Sequence, residues 1–147
     1  MKSCIFCNEI FKDDIIFDTE HFFIVFDIDP IQEGHLLIIS KQHMLNMTEL
    51  PDEQLLELGR LEQQLIHTLE TNFDLLGVTQ AMNNGNSMDL NVHFHVHLIP
   101  RYHNDNFWTN LEVTHKPFDI EKLKDMVAGQ KANLYNKGSK SCPGMDD

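Results

Sequence analysis

The chain has 147 residues, 41% of them hydrophobic and 23% charged, enough for one domain that buries a core without disulfides. Its 23 acidic and 11 basic residues give a formal net charge of −12, which repels nucleic-acid backbones and anionic membranes. A small anionic ligand such as a nucleotide needs only local donors and stays open. No apolar run of about 18 residues is present to span a membrane, and the N-terminus MKSCIFCNEIFKDDIIF has polar and acidic residues where a signal peptide needs an apolar stretch, so a cytoplasmic protein is expected.

The first feature along the chain is the C-x-x-C of Cys4 and Cys7. With Cys142 the cysteines number three, and an odd count without a secretion signal argues against a disulfide framework. A C-x-x-C then means redox chemistry or metal. The redox arrangement needs a strand ahead of the pair, and only three residues precede Cys4. The metal reading requires two further ligands. Cys142, in the polar C-terminal segment, reads as an incidental thiol.

IIFDTEHFFIVFDI, residues 15–28, reads as two β-rich runs around the turn Asp18-Thr19-Glu20, and HLLIIS, 35–40, as a third strand after Pro30 and Gly34. A long helix follows. Thr48 stands near its N-cap, Pro51 in its first turn, and Asp52 and Glu53 at the positive end of the dipole. Leu55, Leu58, Leu61, Leu65, Leu69 and Phe73 make one apolar stripe over roughly six turns. VTQAMN, 78–83, reads as a fourth strand, NNGNSMD as a loop, and HFHVHLI as a fifth strand ended by Pro100. A shorter helix is expected near 119–130, and from Lys131 the chain is polar and expected to be mobile. The expectation is an α+β domain over residues 1–130 with a tail over 131–147. It has an antiparallel sheet of about five strands, one long helix and one or two short ones, the helices on one face.

HFHVHLIPR, residues 93–101, carries the chemistry. Alternation along a strand puts His93, His95 and His97 on one face and Phe94, Val96 and Leu98 on the other. A buried neutral imidazole needs a partner at each nitrogen, so three on one face are poor core residues. They can instead converge on one ligand or metal; the plainer alternative is a histidine-rich face in solvent.

This run resembles the histidine triad, His-φ-His-φ-His-φ-φ with φ apolar, of the HIT superfamily of nucleotide hydrolases and transferases. CIFCNEI, VFDIDPIQEGHLLIISKQH and AMNNG resemble further stretches of that family in the expected order, covering roughly residues 4–101. The resemblance implies a HIT-like fold and nucleophilic catalysis at the α-phosphorus of a nucleotide. His95 would be the nucleophile, forming a nucleotidyl-imidazole intermediate that water hydrolyses. His97 would bind a phosphoryl oxygen or assist the leaving group, with His35 beside the site. Asp27 matches the carboxylate that accepts the ribose hydroxyls, Asn83 a polar residue on the same sugar, and Ile5, Phe6 and Ile28 the apolar surround of a base, with purine the family's common preference. Without the family, Asp27 reads as a turn residue, His35 equally well as a β-edge histidine, and the three apolar residues as core.

The resemblance also supplies a zinc set: Cys4 and Cys7 with His43 and His93, closed and structural. The alternative is two reduced thiols with His93 bonded to backbone. A homodimer is implied as well. His97 stands where transferase branches carry Gln, which favours water as the acceptor over a transferase or phosphorylase. One departure concerns the residues before the triad: Asp89 and Leu90 replace the Gln and hydroxyl residue that contact phosphate in many members, with Asn86, Ser87 and Asn91 nearby. That acid motivates a further alternative, a zinc-stabilised nucleotide-binding module with little turnover. His21, His67, His103 and His115 read as surface or local structural residues, and Phe107 and Trp108 as core or interface.

Overall fold

A computed structural model of the chain describes residues 3–130; the expected tail over 131–147, with Cys142, lies outside the described residues. Two compact units divide the chain after Asn106.

The first unit is built on one antiparallel sheet. Its strands are β1 (Phe17–Asp18), β2 (Phe22–Phe26), β3 (Leu36–Ser40), β4 (Gly77–Met82) and β5 (His95–Arg101), in the order β1-β2-β3-β5-β4. β-branched and aromatic residues fill β2, and β3 adds two leucines and two isoleucines, all buried. The expected meander of β1, β2 and β3 is present, with Thr19 N–H donating to Phe22 C=O at the first turn. β5 then enters between β3 and β4, pairing Leu37 with His97 and Ile39 with His95 on one side and Ala81 with His97 on the other.

α2 (Asp52–Asn72) packs on the face that carries Phe22, Ile24, Ile38, Phe94, Val96 and Leu98. Leu58 and Leu61 are buried there, Leu55, Leu65 and Leu69 are half-buried against them, and each fully buried aliphatic side chain contributes about 1.5–3 kcal/mol. Phe73 departs from the expected stripe: it follows the last helical turn and is exposed. The start is also displaced. Pro51 occupies the N-cap, while Thr48 lies in a 3₁₀ turn whose backbone is capped by the Asn46 side chain.

The helices do not share one face. A four-residue helix that the sequence pattern does not announce, α1 (Ile5–Asn8), carries Phe6 to the opposite side of the sheet, where Phe6, Ile10 and Ile15 pack on Phe23, Val25, Leu37 and Ile39. Pro100 does not end β5 either. It pairs with Val78, beyond the point where β3 stops pairing at Leu98, so the strand is bonded on one side only and tolerates a missing N–H. Gly34, at φ +86°, turns the chain beneath that ring, where a Cβ would stand 3.3 Å from Pro100 Cγ.

The second unit holds a 3₁₀ turn (Trp108–Asn110) and α3 (Ile120–Ala128), slightly shorter than the expected 119–130. Asp119 caps α3 by accepting from Lys122 N–H at 3.0 Å. Ile120, Leu123 and Val127 recur at helical spacing along it and are exposed.

Candidate active site

β5 decides the unequal fates of the three histidines. Strand pairing begins only at His95, so His93 lies just ahead of the sheet instead of continuing the alternation. His95 and His97 share the face of Leu37 and Ile39, and α1 lies over that face, with the Phe6 ring edge-on to His95 at 5.1 Å. Phe94, Val96 and Leu98 are buried on the α2 side, as the alternation predicts.

The hydrogen bonds assign a tautomer to each imidazole in turn. Ile31 N–H donates to His35 Nδ1 at 3.1 Å, so a neutral His35 carries its proton on Nε2 and donates it to His97 Nδ1 at 2.8 Å. His97 is then protonated on Nε2, which faces His95 Nε2 at 3.1 Å. His95 donates from Nδ1 to the carbonyl of His93 at 2.7 Å, so its Nε2 is unprotonated and accepts from His97 Nε2–H. His93 in turn donates from Nε2 to the Ser40 carbonyl at 2.6 Å and keeps a bare Nδ1. Burial supports the neutral forms. It lowers His35 and His93 below the ordinary histidine value and, with His95 and His35 close by, brings His97 to about 4.

Asp27 divides its carboxylate. Oδ1 accepts from Asp29 N–H at 2.9 Å, the expected turn contact, and Oδ2 stands 3.5 Å from His35 Nε2 and 3.9 Å from His97 Nδ1. The turn reading of Asp27 therefore holds, and its second oxygen stands beside the histidines.

A cavity of about 730 Å³ opens on this face. Of the residues singled out in the sequence, Ile5, Phe6, Asp27 and Ile28 line it together with Asn83, His95 and His97. His35 does not; it is 1% exposed and stands behind His97. Sequence reasoning passed over the acids Glu9, Asp13 and Asp14 on the cavity wall, since only the turn after α1 brings them there. Asp89 lines it too, whereas Asn86, Ser87 and Asn91 do not.

Beside the cavity, Cys4, Cys7, His43 and His93 bring one ligand atom each within 4.8 Å of one another. Cys4 Sγ is 3.3 Å from His93 Nδ1, and Cys7 Sγ is 3.3 Å from His43 Nδ1 and 3.5 Å from His93 Nδ1. The edge between sulfur and nitrogen ligands of a tetrahedral zinc is about 3.6 Å, from bond lengths of about 2.3 and 2.0–2.1 Å. The bare Nδ1 of His93, held by Ser40 from behind, is the form a metal requires. Donor types, spacing and tautomer fit zinc.

The HIT domain family profile matches residues 9–104. The protein hit of Bacillus subtilis is 30% identical over 141 residues, 90% of this chain and 97% of its own. The adenosine 5′-monophosphoramidase of Saccharomyces cerevisiae is 36% identical over 104 residues, 67% of this chain and 63% of its own. The bis(5′-adenosyl)-triphosphatase of Dictyostelium discoideum is 27% identical over 119 residues, 77% and 80% of the two chains. Among solved structures, a HIT family protein from Bacillus subtilis superimposes with TM-score 0.67 at 28% identity, over 96% of this chain and all of that one. A zinc-bound histidine triad protein from Mycobacterium smegmatis superimposes with TM-score 0.60 at 26% identity, over 87% and 98%. The profile covers more than half of the chain and the Bacillus subtilis relative spans nine-tenths of it at 30% identity, so the chain belongs to the HIT domain family, as a protein of the bacterial type.

Proposed function

We propose that this protein hydrolyses nucleoside 5′-phosphate derivatives, either nucleoside phosphoramidates or dinucleoside polyphosphates, with His95 as the nucleophile at the α-phosphorus. The observation that carries the reading is the unprotonated Nε2 of His95, set by a hydrogen-bond chain that runs from Ile31 to the His93 carbonyl, on a residue that lines a cavity of nucleotide size. The phosphoramidase and triphosphatase names among the relatives support the substrate class.

His95 Nε2 attacks phosphorus, a P–N bond forms, and the bond to the leaving group breaks with its electron pair going to that group. Water then attacks phosphorus and the pair of the P–N bond returns to His95. Over the two steps water supplies OH to phosphorus and H to the leaving atom. Neutral His97, with Nδ1 engaged by His35, offers its Nε2–H as a hydrogen-bond donor to oxygen on phosphorus or to the leaving atom, and stabilises charge as it develops there. Asp27 and Asn83 would take the ribose, and Ile5, Phe6 and Ile28 the base, with purine favoured. Zinc on Cys4, Cys7, His43 and His93 would be a closed structural site. The protein is read as cytoplasmic; among the described residues no helix is long and apolar enough to cross a membrane.

Intact mass spectrometry after brief incubation with adenylated compounds tests the reaction. A nucleotidyl adduct that maps to His95, and that His95→Ala abolishes together with at least about a thousandfold of turnover, is expected. An adduct on another residue would remove His95 from its role. Unchanged slow turnover in His95→Ala, with nucleotide still bound, would make the protein a binding module.

A further inference from the structure

The cavity that holds His95 and His97 has an uneven wall. Carboxylates stand on it at Glu9, Asp13, Asp14, Asp27 and Asp89, and among the described residues no Lys or Arg lines it. A nucleotide phosphate bound there meets imidazoles and amides in place of a cation. Asp27 is engaged by His35 and its own turn, and Glu9, Asp13 and Asp14 come from the α1 side together with the apolar residues. Asp89 is different. It comes from the loop between β4 and β5, is exposed, and its charge reaches His97, whose protonated form it favours against burial. It also borders a second cavity of about 840 Å³, lined by Leu45, Asn86, Leu90 and Asn91 among others, so Asp89 and Val92 form the shared wall between the two spaces.

On the reading that sets the base against Ile5, Phe6 and Ile28, the wall left to a group departing from phosphorus is the one that Asp89 shares with the second cavity. We infer that Asp89 is a specificity-determining residue for the leaving group: it selects substrates whose departing group carries an amine with a positive charge, and disfavours a departing nucleotide or other polyanion. The inference rests on the hydrolase reading and narrows its substrate class to cationic phosphoramidates. One carboxylate in partly solvated surroundings acts over about 5–6 Å with enough force to separate a cationic from an anionic tail by roughly tenfold.

Three adenosine 5′-phosphoramidates with the same P–N bond test it: an aminopropyl tail that ends in ammonium, a neutral propyl tail, and a carboxyethyl tail. The full chain, without added magnesium, should give kcat/KM in the order cationic, neutral, anionic, with about tenfold from end to end. Asp89→Asn should compress that span to about twofold, and Asp89→Lys should reverse it. Glu9→Gln, on the same cavity, should leave the span as it is. A flat series in the wild type, a span that survives Asp89→Asn, or equal compression by Glu9→Gln would overturn the inference while leaving hydrolysis intact. A preference for the anionic tail or for diadenosine triphosphate once magnesium is added would overturn it too, by making the carboxylates cation ligands. Absence of turnover on all three, together with absence of a His95 adduct, would overturn the hydrolase reading and this inference with it.

Discussion

The amide proton of Ile31 reaches His35 Nδ1, and every imidazole after it takes its tautomer from that contact. The arrangement has a measurable cost at low pH. His97 has a folded value of about 4 against an ordinary 6.5, so the unfolded chain takes up the proton first as pH falls. Native stability from this group is therefore complete above about 6.5 and drains away through the window down to about 4. Between pH 7 and 4.5 the loss should be on the order of 2–3 kcal/mol, at about 1.4 kcal/mol per pH unit below the ordinary value. Urea unfolding at both pH values, on wild type and on His97→Gln, reads it. The variant keeps Cys4, Cys7, His43 and His93, so the smaller loss expected in it isolates His97 from any release of metal. Equal losses in the two proteins would mean that His97 titrates normally.

At the scale of elements, α1 is the weakest piece and sits at the most demanding place. Four residues without a side-chain cap do not form a stable helix alone. Its anchors are the Ile5 N–H bond to the Asn91 carbonyl at 2.7 Å, the packing of Phe6, and the cysteines at Cys4 and Cys7. If zinc joins those cysteines to His43 and His93, it holds α1 to the loop after β3 and to the residue two before His95. One zinc per chain is expected by metal analysis, and a chelator should lower Tm by at least about 5 °C and expose the amides of residues 5–9 to hydrogen exchange. Cys4→Ser should show the same losses and no further response to the chelator. Purified protein free of zinc, or a Tm indifferent to chelation, would reduce the cluster to thiols bonded to imidazole.

For the whole molecule, the sheet has unequal edges. β1 at one end has two residues, whereas β4 at the other has six, and among the described residues no strand pairs with its outer side. Long open edges invite pairing with another chain. Leu56, Phe73 and Leu76, on and after the helix that packs against β4, are exposed apolar residues on the same unit. We propose that two copies join β4 to β4 about a twofold axis, which satisfies both edges by one self-complementary contact. Sedimentation equilibrium at micromolar concentration should return twice the 17.1 kDa chain mass. A mass of one chain at tens of micromolar would rule that assembly out.

Alternation and period are local properties, and what depends on them was legible along the chain. The period of the leucines determined the long helix, the runs of β-branched and aromatic residues determined the strands, and alternation alone sent Phe94, Val96 and Leu98 to the core. The triad's resemblance extended that reading to Asp27, Asn83, Ile5, Phe6 and Ile28, which do meet on one cavity. Contacts across long stretches of sequence left no such trace. The helix at Ile5–Asn8 is anchored by the Ile5 bond to Asn91, by Phe6 packing and by Cys4 and Cys7 beside histidines 89 and 36 residues away, and no propensity of four residues encodes those contacts. The tautomers of His35 and His97, the burial that keeps them neutral, and the place of Asp89 at the junction of two cavities likewise arose only when β5 inserted between β3 and β4. Residue types determine which chemistry is available; the proton that each imidazole carries is decided by the neighbour that folding puts against it.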